Sequence, residues 1–89
     1  MKPVYTTGRY QKDFKRAEKR GKDMQKLAAI VELIANGLPL PHRCRPHRLS
    51  GDYEDQWECH IEPDWLLIYD IRVNAVWLNR LGTHSDLFD

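Results

Sequence analysis

Four histidines, His42, His47, His60 and His84, stand in a chain of 89 residues. Imidazole is the side chain whose ordinary pKa, about 6.5, lies nearest neutrality. With Asp64 and Arg80, three of them (His47, His60 and His84) make a set able to cut RNA without a metal. One group takes the proton from a 2′-hydroxyl and another protonates the departing 5′-oxygen. A guanidinium stabilises the added negative charge at phosphorus, in a planar geometry that lysine lacks. Taken singly, each histidine reads more simply as a surface or hydrogen-bonded residue, and periodicity alone does not make the set converge. A metal reading competes, because His42, Cys44 and His47 lie close together and Cys59-His60 adds two further ligand types. The His42–His47 spacing falls within the H-x₃₋₅-H range, but the set matches no usual zinc pattern, and neither metal nor cofactor is expected.

The elements that must position these groups follow from the pattern of apolar residues. Pro3-Val4-Tyr5 reads as a short first strand. Thr6 or Thr7 caps a helix to about residue 20, with Tyr10, Phe14 and Ala17 on one face. Its opposite surface gathers Lys12, Lys15, Arg16, Lys19 and Arg20 into a wide basic band. Gly21 ends that helix, and Asp23 caps a second, predominantly apolar one that runs to about residue 36 before Gly37 and Pro39. Pro39, Pro41 and Pro46 keep the following stretch irregular. From Trp57 the period is two, with Trp57, Cys59 and Ile61 on one side and Glu58, His60 and Glu62 on the other. Pro63-Asp64 turns the chain into an apolar strand over residues 65–71, as expected at the centre of a covered sheet. A last strand spans residues 75–81, and residues 84–88 form a tail or a single helical turn. The order β-α-α-β-β-β predicts an α+β fold, with two helices on one face of a mainly antiparallel sheet and the other face partly open. His47, His60, Asp64, Arg80 and His84 each fall just before, within or just after a strand of that sheet.

Composition fits this scheme. A hydrophobic content of 42% with nine aromatic residues suits one compact domain over residues 1–89 and excludes a disordered chain. No apolar run approaches the ~20 residues of a membrane span, and no signal peptide precedes the first helix, so a cytoplasmic protein with no membrane partner is expected. Cys44 and Cys59 are expected to stay reduced there. The net charge of +1 conceals a division. Through Arg48 the chain carries +8, and the remainder −7. Such a separation suggests a polyanion partner for the first half, although two solvated basic helices explain it equally well.

The segment His60-Ile61-Glu62-Pro63-Asp64-Trp65-Leu66-Leu67-Ile68-Tyr69 resembles the signature of the YafQ branch of the RelE toxin superfamily. His47-Arg48-Leu49-Ser50-Gly51 lies upstream, and Arg80-Leu81-Gly82-Thr83-His84 with Leu87-Phe88 downstream, where that family has them. Lys22-Asp23-Met24 and Leu38-Pro39-Leu40-Pro41 extend the likeness over essentially the whole chain. The resemblance implies a RelE-like fold and a ribosome-dependent mRNA endonuclease acting in the aminoacyl site, without metal. The site it implies is His47, His60, Asp64, Arg80, His84 and Phe88. His84, with His47 or Asp64, would move the protons, Arg80 would face the scissile phosphate, and Phe88 would stack on or wedge beside the mRNA. The basic band would lie on ribosomal RNA, holding backbone phosphates without reading sequence. Trp57 stands where family members commonly carry arginine, which weakens the expectation of a phosphate clamp on that strand. Ser85 and Asp86 carry no expectation.

A protein antitoxin is the implied partner, an extended acidic segment that wraps the domain, and operator DNA would be reached only through it. The second hypothesis is a weakly active or inactive binding module of the same fold that acts mainly with its antitoxin as a repressor. Growth arrest on expressing the free chain separates the two.

Overall fold

A computed structural model describes residues 1–88. Strand β1 (Val4–Thr6) leads into α1 (Gly8–Lys19), where the Thr7 side chain accepts from the Tyr10 amide as N-cap. Asp23 caps α2 (Met24–Ala35) in the same way, accepting from the Gln25 and Lys26 amides. A 3₁₀ turn at His42–Cys44 precedes β2 (His47–Arg48), and a second at Gly51–Tyr53 precedes β3 (Trp57–Glu62). Strands β4 (Trp65–Ile71) and β5 (Val76–Gly82) follow, then α3 (His84–Phe88). The sheet order is β1-β5-β4-β3-β2, antiparallel throughout except that β1 runs parallel to β5. The two-residue β2 was not expected. It forms on the antiparallel edge because His47 pairs with Glu58 and Arg48 with Trp57. The last strand is displaced by one residue from the expected 75–81.

Alternation along β4 divides the molecule. Trp65, Leu67 and Tyr69 join Leu27, Ile30, Ile34 and Tyr10 in the main core beneath α1 and α2. Leu66 and Ile68 point the other way and are covered by Leu87 of α3, with Leu49 and Tyr53 alongside. This second face is the one on which the candidate residues gather. Cys44 and Cys59, both fully buried free thiols, belong to the main core. Burial pushes the Cys59 thiol up to about 12, so it is no ready nucleophile or ligand.

Strand β5 does not alternate cleanly. Ile68 faces Arg80 but Tyr69 faces Leu78, which leaves Asn79 as the extra residue of a bulge. Val76 and Leu78 pack in the main core; without the bulge, Arg80 would follow them there. The bulge turns Arg80 onto the second face and returns Leu81 to the core.

β1 pairs with β5 only as far as Leu78, and α1 takes over the edge beyond it. The Thr7 hydroxyl donates to the Asn79 carbonyl at 2.9 Å, and Asp13 accepts from the Leu81 amide at 3.0 Å. A carboxylate on the apolar face of α1, between Tyr10 and Ala17, is thereby buried with its hydrogen bonds satisfied.

Candidate active site

The β3–β4 turn and the N-terminus of α3 meet through Asp64 and His84. Asp64 Oδ1 accepts from the His84 backbone amide at 2.9 Å and contacts His84 Nδ1 at 2.5 Å. The amide, and then the imidazole, hold the Asp64 carboxyl below the usual carboxylate range. It is therefore ionised at neutral pH and keeps the proton on His84 Nδ1. Nε2 of the exposed ring is left to a substrate, the arrangement by which a carboxylate orients a proton-transfer imidazole.

A second cluster forms around Glu58, which sequence reasoning did not single out. Its Oε1 lies 3.4 Å from His47 Nε2 and 3.5 Å from His60 Nε2, and the residue is only 5% exposed. The two Nδ1 atoms are occupied elsewhere, by the Arg45 carbonyl at 2.9 Å and the Pro63 carbonyl at 3.3 Å. A carbonyl only accepts, so each ring carries its proton on Nδ1 and turns Nε2 to the carboxylate. An imidazolium on either ring would donate from Nε2 to Glu58. The strand period had already put Glu58 and His60 on one side, and a carboxylate at i−2 from a histidine on the less apolar face was the available signal.

His60 and His84 bring the clusters together, with ring centroids 5.8 Å apart. Phe88, 46% exposed, lies 6.5 Å from the His84 ring and meets Tyr53 edge-on at 5.7 Å. Tyr53, also missed in the sequence, donates to the Leu87 carbonyl at 3.3 Å and so holds the end of α3.

Arg80 is set deeper than the others, at 8% exposure. Its Nε and Nη2 donate to Asp13 at 2.8 and 3.4 Å, and Nη1 reaches the Tyr53 hydroxyl at 3.3 Å. The bond to Asp13 raises its pKa further, so the guanidinium stays charged while one edge is neutralised from behind. His47, His60, Asp64, Arg80, His84 and Phe88 thus occupy one face. The chemistry available there is acid–base transfer between two imidazole clusters beside a guanidinium and an exposed aromatic ring.

The basic band of α1 is not uniform. Lys12, Lys15 and Lys19 are exposed and have no carboxylate in ion-pair range among the described residues. Arg16 bonds Asp13 at 3.1 Å and lies 3.6 Å from Asp86, while Arg20 bonds Asp86 at 2.7 Å. Asp86, which carried no expectation, is thus an anchor of α3. Its Oδ2 accepts from the Thr83 amide at 2.9 Å, and its own amide donates to the Thr83 hydroxyl at 3.1 Å, a reciprocal cap. The fit is close: a Cβ on Gly82 would stand 2.8 Å from Asp86 Cβ.

The mixed His/Cys metal cluster does not assemble. Cys59 and His60 are neighbours on a strand and project to opposite faces, and Cys44 sits in the core.

Residues 2–89 match the family described as bacterial toxin of type II toxin–antitoxin system, YafQ. The chain is 43% identical to the mRNA interferase toxin YafQ of Escherichia coli K12, over 99% of this chain and 97% of that one. It superposes on the toxin of the E. coli DinJ–YafQ toxin–antitoxin complex with a TM-score of 0.91 and 40% identity, covering 99% of this chain and 98% of that one. A metal-bound toxin from Helicobacter pylori is similar at TM-score 0.93 and 39% identity, over 99% of this chain and all of the other. With the fold, the whole length and the quoted motifs in agreement, this chain belongs to the YafQ family of bacterial toxins of type II toxin–antitoxin systems.

Proposed function

We propose that this chain is an mRNA interferase, an endoribonuclease that cleaves mRNA in the ribosomal aminoacyl site by acid–base catalysis of its own side chains. The observation that carries the reading is the pairing of two oriented imidazoles, His84 on Asp64 and His60 on Glu58, with rings 5.8 Å apart. Groups so placed can serve one phosphodiester from the same face of the sheet. A base takes the 2′-hydroxyl proton as the 2′-oxygen bonds to phosphorus; an acid protonates the 5′-oxygen as its bond to phosphorus breaks. That leaves a 2′,3′-cyclic phosphate and a free 5′-hydroxyl. Asp64, ionised and committed to His84, serves as the orienting group; His84 Nε2 makes one of the two proton transfers, and His60 or His47, on turning its Nε2 from Glu58 to the substrate, makes the other. Arg80 meets the phosphate with the edge that Asp13 leaves free, and Phe88 stacks on a base. Lys12, Lys15 and Lys19 hold ribosomal RNA phosphates.

The E. coli relative is described in complex with DinJ, and this chain is proposed to be held inactive by an antitoxin of its own, through which alone it would reach operator DNA. The runner-up, a weakly active binding module, draws support from Trp57 and from the partial neutralisation of Arg80 by Asp13. Brief induction of the free chain, with mapping of mRNA 5′ ends, decides. New ends at codon positions, absent with His84→Ala, support the endonuclease. Binding without new ends or growth arrest supports the module.

A further inference from the structure

Outside the acid–base set, a cleft of about 550 Å³ opens beside His60 and Asp64. Three elements line it. Lys22 and Lys26 come from the start of α2 and the turn before it, Arg43 and Arg45 from the first 3₁₀ turn, and His60 to Asp64 from the β3–β4 hairpin. Glu62 draws both lysines, at 3.8 and 3.2 Å. Arg43 and Arg45 are exposed and have no carboxylate in ion-pair range among the described residues.

The turn that presents them is built at a conformational cost. Arg45 holds φ 47, in the left-handed region that residues other than glycine rarely enter, and it does so directly before Pro46. Strain of this kind persists where its surroundings over-determine it. Here Cys44 is locked in the core, the Arg45 amide donates to the His42 carbonyl at 3.1 Å, and the Arg45 carbonyl accepts from His47 Nδ1 at 2.9 Å. The result puts two guanidinium groups on either side of a buried residue, at a cleft that ends in the proton-transfer groups.

We propose that this cleft carries the sugar–phosphate backbone of the RNA strand on one side of the cleavage point, with Arg43 and Arg45 each engaging a phosphate without reading base sequence. The inference rests on the ribonuclease reading above. Guanidinium forks suit phosphate and carboxylate alike. Continuity with His60 and Asp64 favours the nucleic acid over an acidic protein segment, because a strand laid through the acid–base set must leave along some charged path.

The test uses the full chain and a single-stranded RNA 12-mer made entirely of 2′-O-methyl nucleotides, which binds but offers no hydroxyl for cleavage. Binding is followed against salt. Replacing both arginines (Arg43→Gln with Arg45→Gln) should weaken binding and flatten the slope of log K against log salt by about 1.4, since each phosphate on a single strand contributes roughly 0.7. The paired lysine variant (Arg43→Lys with Arg45→Lys) should restore most of the slope, and thermal unfolding should report all variants folded. Unchanged affinity and slope in the glutamine variant overturn the proposal, as does a parent chain that does not bind the oligonucleotide. Loss of binding to the antitoxin but not to RNA assigns the cleft to protein and overturns it too. Arginine-dependent RNA binding in a chain that cleaves no mRNA would keep the cleft and remove the endonuclease. Cleavage by the glutamine variant at the parent rate and salt dependence would do the reverse.

Discussion

Replacing Asp86 asks whether the short C-terminal helix, and with it His84 and Phe88, is held in place by charge. The Asp86 carboxylate receives Arg20 at 2.7 and 3.3 Å, lies 3.6 Å from Arg16 and accepts from the Thr83 amide at 2.9 Å. These partners, Arg20 foremost, hold its carboxyl well below the usual carboxylate range. Asp86→Ala removes a capping acceptor, a loss of about 1 kcal/mol. It also removes a partly exposed ion pair worth about 0.5–1 kcal/mol after solvent screening. Together these come to about 1.5–2 kcal/mol, or roughly 6–16 °C in Tm for a domain of this size. Asp86→Asn keeps an oxygen for the cap and should lose about half as much. A carboxyl whose folded-state pKa is depressed gives its full contribution above the unfolded value, about 3.9, and loses it as pH falls toward the folded value. Parent and variants should therefore differ at neutral pH and converge progressively below about pH 4. Urea unfolding followed by tryptophan fluorescence at several pH values measures this directly. Cleavage should fall further than the folded fraction does, because the helix that carries His84 loosens before the domain unfolds. An alanine variant as stable as the parent at neutral pH would refute the reasoning. So would one destabilised equally at neutral and acid pH.

Other perturbations separate binding, chemistry and framework. His84→Ala should lower single-turnover cleavage by roughly 10²–10⁴ while leaving ribosome association nearly unchanged in a pelleting assay. Asp13→Asn leaves Arg80 without its buried counter-charge and should cost about 3 kcal/mol in chemical unfolding, whereas Arg80→Lys should chiefly slow cleavage by removing the planar fork. Changing Lys12, Lys15 and Lys19 to glutamine should flatten the salt dependence of ribosome association without a change in Tm; Arg16→Gln and Arg20→Gln should lower Tm. Cleavage should survive excess EDTA, and zinc near one equivalent lost together with activity would return the histidines to a metal role.

The order of elements was legible because each carries its own local signal. The Thr7 and Asp23 caps, the apolar run of β4 and the period-two pattern of β3 sit where residue types put them. The six candidate site residues were named largely by likeness to a family, and the structure places them on one face of the sheet. What the sequence did not disclose are the partners that hold them. Glu58, Tyr53, Asp13 and Asp86 act through contacts with distant residues, Asp13 with Arg80 across 67 positions and Tyr53 with Leu87 across 34. Periodicity reports which face a residue occupies, not which side chain waits opposite. A lone aspartate on the apolar face of α1 was nonetheless a local anomaly, and a buried charge of that kind implies a buried partner. The competing metal reading of the His42–His47 stretch rested on proximity in sequence alone, and a 3₁₀ turn with Cys44 pointing inward sorts those residues onto two sides.

The bulge at Asn79 ties the end of β5 to its neighbours through the one residue it sets aside. Deleting Asn79 would restore simple alternation with Arg80 still opposite Ile68 and Leu81 still in the core, so what the extra residue supplies is its own contacts: its carbonyl accepts from the Thr7 hydroxyl at 2.9 Å and its side-chain amide donates to Gln56 at 2.7 Å. Everything downstream, including the loop to His84, would keep its phase and lose those two ties. The residue set aside by the bulge thus serves the seam with α1 and the approach to β3 rather than the facing of the site.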